Sequence, residues 1–166
     1  IKNGAGALAI KGSSSYTGAT TINGGILAIA GSGSVNSSSG ITLNGGTLNY
    51  SSSVALTAPL TITSGTISGN GTINQNLTIN GSIAPGNSIG VLTVGGNVTW
   101  NGSAATPWVF ELDAGDSADL LAITSGDFLI GSGSGGTDFV FDFAGSTAAG
   151  TFDLVTWTGN TTFTET

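Results

Sequence analysis

A short motif recurs along the first hundred residues: a threonine, an apolar residue, a polar residue and then a glycine-containing pair. The clearest copies span 21–27 (Thr-Ile-Asn-Gly-Gly-Ile-Leu) and 42–48 (Thr-Leu-Asn-Gly-Gly-Thr-Leu), and looser copies span 61–67, 78–83 and 93–98. The apolar residue after each threonine stands at 22, 43, 62, 79 and 94, so the spacings are 21, 19, 17 and 15 residues. Self-similarity near 20 residues predicts a solenoid, in which each repeat stacks on its neighbours.

Polar and apolar residues alternate within each copy, which is typical of a strand with one buried face. Several short strands per repeat predict an all-β fold of β-helix coils with an interior column of Ile, Leu and Val. The pairs 24–25 and 45–46 supply glycine where tight corners need positive φ. The decreasing spacing predicts either a coil that tapers towards residue 94 or trimmed loops. Asn23 and Asn44 are the expected members of an inward-facing asparagine ladder.

The composition changes after about residue 100. All nine acidic residues lie at or beyond Glu111, and most of the aromatic residues lie there too. The open end of a solenoid exposes apolar side chains and unpaired strand edges, so it requires a cap. We therefore predict β-helix coils of about 15–21 residues over 1–104, and an acidic, aromatic-rich terminal β segment or cap of the same domain over 105–166.

The charge of the chain limits the classes of function and partner that it can have. The chain has a net charge of −7, two lysines, no arginine and no histidine, and only 7% of its residues are charged. A nucleic-acid partner requires a basic face, and these residues do not supply one. Membrane insertion is not expected either, because no apolar run approaches the length of a transmembrane helix. The chain opens with Ile-Lys-Asn-Gly and ends with Thr-Glu-Thr, so we expect a mature piece or fragment of a longer protein.

Two segments carry a resemblance to a known family. Residues 2–10 and 16–27 resemble the autotransporter-associated β-strand repeat, which has a Gly-rich Leu strand, a Tyr-Thr-Gly turn and a Thr-Ile-Asn-Gly-Gly-x-Leu strand. Residues 81–94 are similar to the Pro-Gly-Asn-Ser element near the end of such passengers. The resemblance implies a right-handed parallel β-helix of a secreted bacterial protein, extracellular or displayed on the cell surface. It brings no catalytic residue and no cofactor.

Few residues of this sequence could act in catalysis. Without His or Cys, Ser-His-Asp and Cys-His nucleophile systems cannot be assembled. A glycosidase needs a pair of carboxylates at a fixed separation. The candidates for such a pair are Glu111, Asp113, Asp116, Asp119, Asp142 and Asp153. We interpret them as solvated positions of alternating strands, and therefore expect no enzyme activity.

The sequence contains candidate sites for a metal, for sugars and for attached glycans. Asp113, Asp116 and Asp119 form a calcium candidate, but their spacing matches neither the EF-hand nor the nonapeptide calcium repeat, and an acidic turn is the favoured interpretation. Tyr16, Tyr50, Trp100, Trp108 and Trp157 are candidates for stacking on sugars, with packing favoured. Asn-x-Ser/Thr sequons make eight residues candidates for glycosylation: Asn36, Asn49, Asn70, Asn76, Asn80, Asn97, Asn101 and Asn160.

Two functional hypotheses follow from the sequence. The first is a non-catalytic extracellular structural module: a surface spacer, an adhesin stalk or a fibre subunit. In the fibre variant, the partner is a second copy stacked head to tail, since a heterologous contact that does not close generates a filament. The second is a carbohydrate-binding or carbohydrate-cleaving β-helix, which predicts aromatic and carboxylate side chains together in one groove.

Overall fold

The computed structural model describes residues 1–113, 117–131, 139–145 and 150–162. All regular structure in this part of the chain is β, which confirms the predicted class. The strands are β1 (Ala7–Ile10), β2 (Thr20–Ile22), β3 (Ile26–Gly31), β4 (Ile41–Ser52), β5 (Leu60–Gly69), β6 (Thr72–Ile73), β7 (Leu77–Ile79), β8 (Ser82–Pro85), β9 (Val91–Val94), β10 (Val98–Trp100), β11 (Trp108–Leu112), β12 (Leu120–Ile123), β13 (Phe128–Ile130), β14 (Phe141–Gly145) and β15 (Val155–Trp157).

Successive coils return to the same ladders, and all the paired strands run parallel. A first face contains β2, residues 41–44 of β4, residues 60–64 of β5, then β7, β10 and β13. A second face contains β1, β3, the later halves of β4 and β5, and β8. A third face contains β6, β9, β12 and β15. This arrangement is the predicted stacked parallel β-helix.

The interior is a set of apolar columns. On the first face, one column runs through directly paired residues of successive coils: Ile22, Leu43, Ile62, Ile79, Trp100 and Ile130. The members from Ile22 to Trp100 are all fully or almost fully buried. A single coil cannot bury such residues alone, so the stacking of coils is what removes them from water and stabilises the fold.

The prediction that residues 93–98 form a fifth copy of the motif, in line with the first four, is wrong. Val94 pairs with Ile73 and Ile123 on the third face, whereas the partner of Ile79 on the first face is Trp100. The steps along the first face are therefore 21, 19, 17 and 21 residues up to Trp100, and the coil does not taper towards residue 94. Thr93-Val94 resembles the earlier copies because any strand with one buried face has this alternation.

The parallel ladders continue beyond residue 104. β13 pairs with β10, β12 pairs with β9, and β15 pairs with β12. β14 pairs with β11, and β11 contacts β8. The acidic, aromatic-rich segment thus adds strands to the coils that precede it. A capping role for residues 105–166 stays a prediction.

Glycines form one corner between the first and second faces. Gly25 and Gly46 have φ values of +64°, and Gly65 has a φ of +91°. A Cβ at Gly46 would lie 2.5 Å from the carbonyl oxygen of Gly25 in the coil below. The corner therefore needs glycine both for its left-handed backbone and for the close approach of the next coil.

Candidate functional site

The carboxylates that the sequence singled out are mostly dispersed. Asp142 is exposed on β14, opposite Val109, and Asp153 is exposed in the segment before β15. Asp116 lies outside the described residues. Among the described residues, the fold brings Glu111 and Asp119 together, through backbone hydrogen bonds between β11 and the segment before β12.

Asp119 is 2% exposed and acts as a clip between three segments. Its Oδ1 accepts a hydrogen bond of 2.9 Å from the backbone N–H of Gly90, and its Oδ2 accepts one of 2.9 Å from the N–H of Glu111. The backbone N–H of Asp119 donates in return to the carbonyl of Glu111. Both carboxylate oxygens are thus engaged in holding the chain, which is a structural role.

A polar groove of about 260 Å³ lies beside this clip. Its lining includes Asn49, Asn87, Ser88 and the exposed Glu111, but no aromatic side chain. Asn49 donates to Asn87, and Asn87 donates to Ser51, so the amides are already bonded to each other. The carbohydrate hypothesis required aromatic and carboxylate groups in one groove, and this groove has only the carboxylates.

Burial raises the pKa of Asp119, and the repulsion from Glu111 adds to this, while the N–H groups of Glu111 and Gly90 lower it in part. A raised folded-state pKa means that folding favours the protonated form. The contribution of Asp119 to stability is therefore greatest below its unfolded pKa of about 3.9, and declines as pH rises through the folded pKa.

We therefore expect that protonation of Asp119 in acid does not destabilise the folded protein. Residues 1–110 contain no Asp, Glu or His, so they add no acid titration of their own. Thermal unfolding followed by circular dichroism should give a Tm at pH 3.5 no lower than at pH 7. In Asp119→Asn this pH dependence should become weaker; a Tm that falls steeply in acid for the unmodified chain would contradict the assignment.

A calcium site is not assembled by the described residues. No group of three His, Cys, Asp or Glu side chains suited to a metal ion occurs among them. Asp119 uses both carboxylate oxygens on backbone N–H groups, and the third member of the predicted set, Asp116, lies outside the described part of the chain. The calcium candidate Asp113, Asp116 and Asp119 stays untested as a set.

The aromatic candidates fall into two groups. Trp100, Trp108 and Tyr50 are completely buried, and the two indole rings stack with centroids 4.0 Å apart. Tyr50 donates a hydrogen bond to the carbonyl of Val54, and burial raises the pKa of its phenol. Tyr16 and Trp157 are about 40% exposed and lie in different coils. The buried three pack the interior and present no surface to a sugar.

The sequon asparagines also differ in what their side chains do. Most bond to a neighbouring coil; the exceptions are Asn70 and Asn160, which are exposed and whose amides make no hydrogen bond to the described residues. Attachment of a glycan at an asparagine requires its amide nitrogen to be free. Asn70, Asn76 and Asn160 are exposed and their Nδ2 atoms make no hydrogen bond to the described residues, so these three sequons are the most accessible; glycosylation itself stays a prediction.

Asn36 shows why a sequon amide can be structural. Its Nδ2 donates to the carbonyl of Ala55 at 2.9 Å, and its Oδ1 accepts from the N–H groups of Thr57 and Ala58 at 2.9 and 3.3 Å. We expect Asn36→Ala to lower the free energy of unfolding by about 1–3 kcal/mol, because three backbone groups lose their partner. Urea denaturation would measure this, with Asn70→Ala as the nearly neutral control; equal losses in both would contradict it.

The asparagine ladder exists, but the prediction that it faces inward is wrong. Asn23 donates to Asn3 at 2.9 Å, and Asn44 donates to Asn23 at 3.3 Å, on the exposed side of the coils. A second stretch appears further along, where Asn101 donates to Asn80 at 2.6 Å. Ile22 and Leu43 point inward on the same strands, so the next residue must point out.

A column of threonines, not predicted from the sequence, lies beside this ladder. Thr21, Thr42 and Thr61 pair directly in successive coils of the first face, and so do Thr78 and Thr99. Thr61 and Thr78 immediately precede the paired Ile62 and Ile79, which continues the column. The repeated threonine before each apolar residue was the available signal. Thr99 lies outside the predicted starts of the five copies, because the fifth predicted copy begins at Thr93.

Comparison with known proteins adds one finding on the first coil. Residues 1–29 match the family model described as Passenger-associated-transport-repeat. The match confirms the resemblance drawn from the first repeat, and it indicates a structural region associated with autotransporter passengers. No curated protein and no solved structure matches the chain.

The passenger-associated-transport-repeat match covers β1, β2 and the start of β3, which form the first coil and part of the second. A repeat of this kind is typical of secreted or surface bacterial proteins. Within the described residues, no helix has the length and apolar character needed to cross a membrane.

Proposed function

We propose that this chain is a non-catalytic spacer, a stiff segment of a secreted or surface-displayed bacterial protein. The observation that carries the proposal is the unbroken first-face column, in which the same position is buried in each coil from Ile22 to Trp100. Parallel coils about 4.8 Å apart, bridged from Lys2 to Ile130 in seven levels, form a rod about 29 Å long. The repeat match over residues 1–29 supports a passenger-type setting.

The absence of catalysis is part of the proposal. Asp119 uses both carboxylate oxygens to hold Gly90 and Glu111, so it is not available to share a reaction with Glu111. The test is a reducing-end assay on a panel of plant, algal and bacterial polysaccharides, together with small-angle scattering for an elongated particle. Release of reducing ends that disappears in Glu111→Gln would replace the spacer with the carbohydrate-cleaving alternative, whereas a compact scattering profile would contradict the rod.

An end-to-end contact between copies is the second part of the proposal. Lys2 and Lys11, the two basic residues of the chain, lie in the first coil, whereas all nine acidic residues lie at or beyond Glu111. The same two regions expose apolar side chains, Leu8 on β1 at one end and Phe143 on β14 at the other. Opposite charge and exposed apolar surface at the two ends favour a second copy as the head-to-tail partner.

Electron microscopy of the concentrated chain tests the contact between copies. Filaments whose axial repeat matches one rod length are expected, and their number should fall at high salt because the charges at the two ends become screened. A Lys2→Glu/Lys11→Glu variant should assemble less. Monodisperse single particles at high concentration would contradict assembly without affecting the spacer assignment.

A further inference from the structure

The outward side of the first face has an unusually uniform chemistry. From β2 to β10, two outward residues flank the inward residue of each strand, and all ten of them are threonine or asparagine. They are Thr21, Asn23, Thr42, Asn44, Thr61, Thr63, Thr78, Asn80, Thr99 and Asn101. We call this surface the Thr/Asn face. All ten side chains are at least partly exposed, and none of them is charged.

The two residue types on this face have different bonding. The asparagine side chains hydrogen-bond between coils, as in Asn44 to Asn23 and Asn101 to Asn80. The threonine hydroxyls of the face make no hydrogen bond to any described residue. The asparagines thus fix the coils to one another, while a row of hydroxyl groups is left for molecules outside the protein.

The positions repeat regularly in two directions. Thr21, Thr42, Thr61, Thr78 and Thr99 follow one another in register at steps of about 4.8 Å, a length of about 19 Å. The second column stands two residues further along each strand, about 6.6 Å away. The second column loses this register at β5, where Asn44 pairs with Ser64 and Thr63 stands outside the pairing, so the threonine column is the regular one.

The array is also held rigidly. The inward residue beside each threonine, from Ile22 to Trp100, is buried in the close-packed interior. The backbone under the face is a continuous parallel ladder. The backbone and Cβ positions of such a support are fixed before any ligand arrives, so little backbone entropy remains to be lost on binding.

These properties select a particular kind of ligand. Charged side chains hold strongly oriented hydration shells, and the face has none; Lys2, at its end, turns its Nζ to the carbonyls of Gly4 and Gly24. A sugar polymer is usually held by aromatic platforms, and the ten positions contain no aromatic residue. Each threonine instead presents a methyl group next to a hydroxyl, which orders water without fixing it in a single orientation.

We propose that the Thr/Asn face binds the ordered water lattice of an ice crystal. The regular rows of hydroxyls supply hydrogen-bond partners to lattice water, and the methyl groups fill the spaces between them. A shallow depression of about 260 Å³ between Thr61, Thr78, Asn76 and Asn80 leaves room for water between the rows. Adsorption of the face on a growing ice surface blocks further growth there. This activity does not depend on the spacer assignment.

The test is the gap between the melting and freezing temperatures of a single ice crystal in a solution of the chain, measured together with ice recrystallisation. The unmodified chain is expected to open such a gap and to keep ice grains small. Thr61→Lys/Thr78→Lys places two charges on the face and should abolish both effects. The matched control, Ser39→Lys/Thr57→Lys, adds the same charge at exposed positions outside the face and should retain them.

Circular dichroism and the Tm establish that both variants are folded. If the lysine pair unfolds the chain, Thr61→Ser/Thr78→Ser keeps the hydroxyls, removes the methyl groups and should lower the activity. Ice growth that is unaffected by the unmodified chain overturns the proposal, as does an equal loss in the face variant and its control. Binding to crystalline cellulose or chitin that the face variant loses, without any effect on ice, would assign the face to a polysaccharide instead.

Discussion

Trp100→Ala is expected to lower the free energy of unfolding by about 3–5 kcal/mol, the usual cost of removing a large aromatic side chain from a core. Trp100 is completely buried, stacks on Trp108 at 4.0 Å, and meets Phe139 edge-on at 5.1 Å. It also occupies the first-face column, between Ile79 below and Ile130 above. The substitution therefore leaves a cavity at the point where the regular coils meet the aromatic-rich segment.

Urea denaturation followed by far-UV circular dichroism measures this loss, and Trp157→Ala is the matched control. Trp157 is also an indole on a strand, but it is 40% exposed. Its removal should cost less than about 1.5 kcal/mol, because much of its surface is already in water. Similar losses for the two tryptophans would mean that the Trp100 cluster is not a packed core.

Gly46→Ala is expected to cost about 3 kcal/mol, and to lower the Tm by about 6–12 °C in a chain of this size. Gly46 has a φ of +64°, where a residue with a Cβ is strained. The added Cβ would also lie 2.5 Å from the Gly25 carbonyl oxygen and 2.8 Å from the Gly24 carbonyl carbon. Both atoms belong to the backbone of the preceding coil, so relief requires the coils to separate locally.

Gly24→Ala provides the comparison within the same corner. Its φ is not in the left-handed region, and a Cβ there would have nothing closer than the Gly4 carbonyl oxygen at 3.8 Å. Its effect should stay within about 0.5 kcal/mol. If Gly46→Ala were as mild as Gly24→Ala, the close stacking of the glycine corners would be refuted.

The stacked parallel coils were predictable because the repeat length and the alternation of polar and apolar residues can be read directly from the sequence. Ile22, Leu43, Ile62 and Ile79 do form one interior column, as their spacing predicted. The pattern could not place Val94, because a buried strand on the third face has the same polar–apolar alternation as one on the first. The face on which a strand lies depends on the number of residues in each corner, and the corners vary in length.

The roles of individual polar residues were less accessible from the sequence. Asp119 differs from the other carboxylates only through the N–H groups of Gly90 and Glu111, which come from 29 and 8 residues away in the chain. No local sequence pattern indicates a clip built in this way. The outward direction of Asn23 and Asn44 was predictable from the sequence, since the alternation that buries Ile22 turns its neighbours outward.

The direction of the hydrogen bonds in the ladders determines how the molecule resists stretching. In a β-helix, the bonds between coils lie along the axis, so a pull on the two ends loads one coil at a time and does not shear a whole sheet at once. Each coil of about 20 residues that peels away releases about 65 Å of extended chain. We therefore expect the segment to lengthen in steps, one coil at a time, when its ends are pulled apart.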